Sequence, residues 1–375
     1  MIINQSSFEN NNRPTLRQLH CTTSGGLEDV TAAEISRLCH GLQQTEPQIE
    51  QQPWGISGHV ICRVAADGSG PSALFSDGYR RLRSIYYAIE HIAEFSIDPS
   101  LGADQIATAL AAIEIPALRR ATSFRVSSVR SGLHEFASPD VERAAGAQLQ
   151  RDYRLEVDLE NFDVNVRIDI VDQRVLVGLQ LNQSRLDRRY LRTYRPRVSL
   201  RPAIAYAMLT LADLADDAAT VVDPFCGSGT ILLEAASIFP QARVLGFDHD
   251  REAVDGARHN SAQNALQHRI AVQYADARGI HQLIEPRSVD AIVTNPPFGI
   301  RLARRTDFRS LYGRFLESAW QVLKPAGKLV ILVGKRRSAF NQVVQETGRW
   351  RYLGVRIIDI AGVYPGLFVM QKRAQ

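Results

Sequence analysis

The stretch Thr220-Val-Val-Asp-Pro-Phe-Cys-Gly-Ser-Gly-Thr-Ile-Leu-Leu-Glu-Ala-Ala236 decides the fold. It opens as an apolar strand that ends at Asp223. A turn of small residues, Cys226 to Gly229, then leads into a helix. Gly227 and Gly229 let the backbone approach a ligand that any Cβ would hold away. A turn at the carboxyl end of the first strand is where open α/β sheets bind their ligands. A dinucleotide fingerprint would need a third glycine, which is absent here, and Asp-Pro-Phe precedes the turn.

Downstream, strands and helices alternate from Ala203 onward with runs of Val, Ile and Leu. That pattern predicts a mainly parallel sheet covered by helices on both faces. Asp248 follows the second strand, Arg243–Phe247, at the distance where an acid grips ribose hydroxyls. A carboxylate accepts two hydrogen bonds, so Asp248 can hold both hydroxyls of an adenosine; a solvated loop acid beside Asp250 would look the same. His249 sits next to it. Asp276 follows the third strand, Ile270–Tyr274. Its carboxylate can accept an adenine amino group while the Ala277 N–H meets a ring nitrogen.

After the apolar strand Val289–Thr294 comes Asn295-Pro296-Pro297-Phe298. These residue types suit one chemistry. An exocyclic amine is a poor nucleophile because its lone pair is delocalised into the ring. An Asn carbonyl and a backbone carbonyl can accept its two N–H bonds, localise the lone pair and aim it at a sulfonium methyl. Pro296 holds Asn295 extended, and Pro297 stiffens the loop. Phe298 offers a flat face on which an extruded base stacks. No His/Cys/Asp cluster has metal-ligand spacing, and this chemistry needs no metal.

The chain has 375 residues, enough for two or three domains. Met1 to Pro14 is polar and Asn-rich, without the regions of a signal peptide, and reads as a disordered tail. Residues 15–97 read as one α+β module, with strands Arg17–Thr23 and His59–Val64 and a helix Leu27–Leu38. Arg83–Phe95 is a buried strand or helix. Residues 98–183 read as a second module: a helix over Pro99–Leu118, a strand Ser123–Val129, a helix opened by a Ser138 cap with Pro139 in its first turn, and a hairpin Val164–Val171 and Arg174–Leu181 turning at Asp172-Gln173.

Residues 184–202 are a basic linker containing Arg185, Arg188, Arg189, Arg192, Arg195, Arg197 and Arg201, with Asp187 as its one acid. Net charge is +4, and Lys appears only at 324, 328, 335 and 372. Arg suits phosphate and base stacking, though a codon bias would give the same composition. No apolar run is long enough to span a membrane. Cys21, Cys39, Cys62 and Cys226 form no CxxC pair, which fits a reducing cytoplasm.

Asp223-Pro-Phe-Cys-Gly-Ser-Gly-Thr230 together with Asn295-Pro-Pro-Phe-Gly299 resembles the class I, S-adenosylmethionine-dependent RNA methyltransferases that carry a THUMP domain. Residues 20–34, with Cys21-Thr-Thr-Ser-Gly-Gly-Leu-Glu-Asp-Val30 among them, look like the start of that family's ferredoxin-like domain. Phe124–Gly132, Asp158–Asp163 and Val177-Gly-Leu179 are similar to its THUMP module. The resemblance implies an α/β chain in which ferredoxin-like (15–97) and THUMP (98–183) α+β domains precede a Rossmann-like methyltransferase domain (203–375).

It also implies a cofactor set of Ser199, Leu200, Asp223, Phe225, Cys226, Gly227, Ser228, Gly229, Thr230, Asp248, His249, Asp276, Ala277 and Asn295, with Asn295 to Phe298 catalytic. The Arg residues of the linker, Arg130, and Arg301, Arg304, Arg305 and Arg309 are then placed to meet RNA phosphates. The substrate implied is tRNA, methylated by a monomer at guanine N2 of position 6. The alternatives are an rRNA guanine-N2 enzyme, a DNA adenine-N6 enzyme, or an RNA-binding protein with an inactive methyltransferase domain.

Overall fold

The computed structural model describes residues 4–5, 16–43, 46–65, 72–196, 199–215, 218–297, 308–334 and 336–373. They form two compact units. Met1–Thr22, Ala32–Trp54 and His59–Leu186 make the first; Thr23–Thr31, Gly55–Gly58 and Asp187–Gln375 make the second. No helix among the described residues is long and apolar enough to cross a membrane.

The first unit holds one nine-stranded sheet. Its strands are β1 (Asn4–Gln5), β2 (Leu16–Thr22), β3 (Gln48–Gln51), β4 (His59–Ala65), β5 (Tyr87–Ser96), β6 (Ser123–Ser131), β7 (Glu156–Val157), β8 (Val164–Val171) and β9 (Arg174–Gln180). They run in the order β3-β4-β2-β5-β9-β8-β6-β7, with β1 added to β5. The helices of this half of the chain are α1 (Glu28–Gly41), α2 (Ala73–Ser76), α3 (Asp104–Leu110) and α4 (Ser138–Tyr153).

Alternation along the strands builds two cores. Leu19, Cys21, Val60, Cys62 and Val64 pack with Ile35 and Cys39. Phe124, Val126, Val166, Ile168 and Val177 pack with residues of α3 and α4, among them Ile106, Leu110, Val141 and Leu149. All four cysteines are buried free thiols.

Strand β5 resolves the ambiguity over Arg83–Phe95. It pairs with β2 (Leu19↔Glu90) along one edge and with β9 (Phe95↔Val175) along the other. Hydrogen bonding therefore passes without a break across residues 97–98, where composition suggests a boundary. A register shift between His91 and Ala93 inserts an extra residue and switches the pleat. Ala88 thus packs in the first core, and Ala93 and Phe95 in the second.

Three local expectations are corrected. The helix expected over Pro99–Leu118 is only Asp104–Leu110. Pro116 has no N–H to give a helix and forces its predecessor out of the helical region, so a single 3₁₀ turn at Leu118–Arg120 replaces the rest. Ser138 does not cap α4. Ala137 occupies the cap position, and its N–H donates to the Asp140 carboxylate at 2.9 Å, the acid-side half of a capping box. Within the expected disordered tail, Asn4–Gln5 pair with Ala93–Glu94; the rest of Met1 to Pro14 lies outside the described residues.

The second unit holds a seven-stranded sheet. Its elements are α5 (Pro202–Ala212), β10 (Thr220–Asp223), α6 (Thr230–Ile238), β11 (Arg243–Asp248), α7 (Arg251–Gln263), β12 (Ile270–Tyr274), β13 (Val289–Thr294), α8 (Phe308–Val322), β14 (Leu323–Val333), α9 (Arg337–Thr347), β15 (Trp350–Ile357) and β16 (Gly366–Lys372). The order is β12-β11-β10-β13-β14-β16-β15, parallel through β14, with β16 antiparallel to both its neighbours.

Both faces of the central strands are buried, which is why those strands read as continuous apolar runs, while the edge strands β12 and β15 alternate with exposed residues. Val221, Ala291, Val293, Val330 and Leu332 face α5, α6 and α7. Val222, Ile292, Leu329 and Ile331 face α8 and α9. Leu27 and Val30 join the first of these cores.

The basic linker is not a free tether. Its peptide groups are strapped along α7: the Leu191 N–H donates to Asn264 Oδ1 (3.1 Å), and Asn264 Nδ2 donates back to the Leu191 carbonyl (2.7 Å). One turn earlier, Asn260 Nδ2 donates to the Tyr194 carbonyl at 2.9 Å. The Tyr194 ring lies on Gly256, where a Cβ would come within 2.1 Å of it. On α6, the fully buried Glu234 carboxylate accepts from Arg189 (3.2 Å) and from the Tyr190 hydroxyl (2.8 Å). Glu234→Ala removes the carboxylate that this part-buried cation faces. The expected cost is about 3–5 kcal/mol, read from urea unfolding; a loss below about 1 kcal/mol would put the pair among surface ion pairs.

Candidate functional site: the switch point of the parallel sheet

The chain leaves β10 for β11 and β12 on one side, then returns to place β13 on the other. This reversal opens a crevice at the carboxyl ends of β10 and β13. The pairing Val222↔Ile292 sets the register of the two strands. It brings the Gly turn and Asn295 to neighbouring strand ends, joined by the Thr294 hydroxyl, which donates to Asp223 Oδ1 at 2.7 Å. Sequence reasoning located both motifs but missed this clamp.

The Gly turn is held by its own backbone. The Phe225 N–H donates to Asp223 Oδ1 (3.1 Å), and the Gly227 N–H donates to Asp248 Oδ2 (2.9 Å). Gly227 has φ +51°, and nothing lies within 4 Å of where its Cβ would be, so the turn faces open space. Gly229, at φ +78°, packs against Ala257 of α7.

Two residues expected at the cofactor point elsewhere. Phe225 packs edge-on against Phe315 at 5.3 Å. The Cys226 side chain is buried in the core, against Gly246. Their part is to fix the turn from behind.

Asp248 is nearly buried and binds the N–H groups of Gly227 and Asp250. Each of its oxygens keeps lone pairs for hydroxyls. His249 is exposed, its Nδ1 3.4 Å from Asp248 Oδ1. Asp276 is paired with Arg278, which holds its carboxyl below the ordinary range. Ala277 is buried. Ser199 lies beside the turn, its hydroxyl 3.1 Å from that of Ser228, and the Leu200 carbonyl accepts from Arg192.

Asn295 carries a buried side-chain carbonyl, Oδ1, with no hydrogen-bond partner among the described residues. Pro296 behind it is buried. Phe298, Arg197, Arg301, Arg304 and Arg305 lie outside the described residues.

The expected RNA-facing arginines divide. Arg188 and Arg195 are exposed. Arg185 lies over the Tyr86 ring, Arg309 pairs with Glu346, and Arg130 Nη1 is 3.3 Å from His134 Nδ1. No group of three or more His, Cys, Asp or Glu among the described residues is arranged to hold a metal ion.

Burial pushes the Asp223 carboxyl up to about 7; the Asp248 charge adds to the rise, while the bonds from Thr294 and Phe225 oppose it. Unfolded, the group titrates near 3.8. The fold therefore keeps this proton to higher pH than the unfolded chain does. The contribution of this group to stability is greatest below about pH 4 and is lost as pH rises through about 7. Asp223→Asn should flatten that decline in melting curves between about pH 5 and about pH 8; an unchanged slope would assign the pH dependence to other groups.

Residues 189–365 match the RMKL-like methyltransferase domain, and residues 103–180 match the THUMP domain. A tRNA (guanine(6)-N2)-methyltransferase of Thermus thermophilus is 36% identical over 355 residues, covering 94% of this chain and 99% of that protein. The crystal structure of TrmN from Thermus thermophilus superposes with a TM-score of 0.77 at 32% identity, covering 95% of this chain and 99% of that one. A methyltransferase solved in complex with SAH shares the fold, with a TM-score of 0.71 at 18% identity over 97% of this chain and 99% of its own. The chain belongs to the THUMP-domain class I RNA methyltransferases, whose methyl donor is S-adenosylmethionine.

Proposed function

We propose that this chain methylates the exocyclic N2 of a guanosine in tRNA, at position 6 of the acceptor stem. The Thermus relative's activity on guanine 6 of tRNA supports that substrate. In this reading residues 98–183 hold the RNA and residues 203–375 carry the chemistry.

The residues present fit the cofactor. Gly227 fronts open space, and Asp248 has acceptor capacity for a ribose. When bound, the cofactor supplies a methyl group already activated as a sulfonium. The chain's own task is to orient and polarise the amine.

The observation that carries the reading is the orphaned Asn295 Oδ1. A buried acceptor without a partner is costly unless a ligand supplies the donor. The guanine amino group supplies one. Accepting its N–H localises the nitrogen lone pair, and Pro296 restricts the Asn295 backbone to extended conformations. Asn cannot take up a proton near neutral pH, so the proton leaves to water or another acceptor after transfer.

The test is methyl transfer from labelled S-adenosylmethionine to unmodified tRNA, rRNA and duplex DNA, with products read by nucleoside mass spectrometry. N2-methylguanosine mapped to position 6 of tRNA supports the proposal. Product in rRNA alone would move the substrate, N6-methyladenine in DNA would change its class, and no product in any of them would point to an inactive domain. Asn295→Ala should lower turnover by roughly 10²–10³-fold or more while calorimetric binding of S-adenosylhomocysteine is kept; normal turnover would refute its role. Replacing exposed Arg188 and Arg195 by Ala should make the log–log salt dependence of tRNA binding shallower by about two, at roughly 0.9 per phosphate contact.

A further inference from the structure

Arg192 stands apart from its neighbours in the basic linker. Arg189, three residues earlier, faces the Glu234 carboxylate. Arg192 is part-buried and has no carboxylate within ion-pair distance among the described residues. Its Nη1 donates to three neutral oxygens: Ser199 Oγ at 3.2 Å, the Leu200 carbonyl at 3.2 Å and Thr230 Oγ1 at 2.6 Å. These contacts fix the plane of the guanidinium, while the negative charges of Asp187 and Glu234 act on it only from beyond ion-pair distance. Its Nε and Nη2 protons remain for another acceptor.

The surroundings are those of an anion seat. The hydroxyls of Ser199, Ser228 and Thr230 form a chain with spacings of 3.1 and 3.3 Å. Thr230 opens α6, whose first-turn N–H groups have no partner within the helix. The neighbouring turn at Gly227 faces open space, and its N–H donates to Asp248. Burial holds the Arg192 guanidinium below its usual range; the nearby Arg195 adds to this, while Asp187, Tyr190 and Glu234 oppose it. Such a cation gains by meeting a carboxylate, and the planar fork matches one bidentately.

We infer that Arg192 is the residue that binds the α-carboxylate of the cofactor's methionine end, with the Ser199, Ser228 and Thr230 hydroxyls holding it in place. The inference rests on the cofactor site proposed above. It takes Arg192 out of the group meeting RNA: its Nη1 is turned into the Gly turn, whereas Arg188 and Arg195 are exposed.

The test compares S-adenosylmethionine with decarboxylated S-adenosylmethionine, which keeps the sulfonium, amine and adenosine. Both are titrated calorimetrically into the full chain and into Arg192→Gln. The variant should bind S-adenosylmethionine roughly ten- to a hundred-fold more weakly, the loss of one charge-assisted contact. The decarboxylated analogue should bind both chains alike, which also certifies that the variant is folded. Equal weakening of both ligands would make Arg192 a structural strut and overturn the inference, as would no weakening of either. Weakened tRNA binding with cofactor affinity unchanged would return Arg192 to the RNA surface. A wild-type chain that binds neither ligand would refute the site itself rather than the role of Arg192 within it.

Discussion

The hydrogen bond from Thr294 to Asp223 is the constraint on which the site depends. It joins the ends of two adjacent parallel strands that lie far apart in sequence. One strand leads into the open Gly turn, and the other leads into Asn295. Because both groups are buried, the bond is strong where it is made and costly where it is not. Asp223 accepts this and the Phe225 N–H on the same oxygen, so one carboxyl both ties the strands and shapes the start of the Gly turn. The price is a carboxyl whose proton is held well above the ordinary range.

From that point the second unit is layered to keep the crevice rigid. Phe225 and Cys226 grip the turn from the two faces of the sheet, one against Phe315 and the other beneath Gly246. Cys226 is buried, whereas Gly227 faces open space. The linker does the same from outside, bonded to Asn260 and Asn264 of α7 and to Glu234 of α6. Asn260 also donates to the Ser228 carbonyl at 3.0 Å, so the strap and the turn share a residue.

Much of this was legible because it is local. Gly227, Gly229, Asp248 and Asn295 sit at strand ends, and a strand end is marked by a break in an apolar run. The parallel sheet was readable for the same reason: strands buried on both faces cannot hide their composition. What escaped was long-range pairing of polar groups. Arg189 and Arg192 look alike in sequence, and only the fold shows one facing Glu234 and the other facing Thr230. The partnership of Thr294 with Asp223 had no signal beyond a hydroxyl at a strand end. In the first unit, the expected helix ran to Leu118 across Pro116, which a helix interior does not accommodate, whereas α3 ends at Leu110.

The sharing of β5 by both halves of the first sheet has a consequence for how that unit comes apart. Its strand gives one edge to β2 and the other to β9. A segment cut near residue 97 would leave a long row of unpaired amides along β9 and two opened cores, a template for aggregation rather than a free-standing module. Amide exchange should accordingly find the two halves of this sheet opening as a single cooperative block, with the most protected protons in β5 itself. Residues 103–180, which match the THUMP domain, are therefore mounted on a platform that cannot loosen one half without the other.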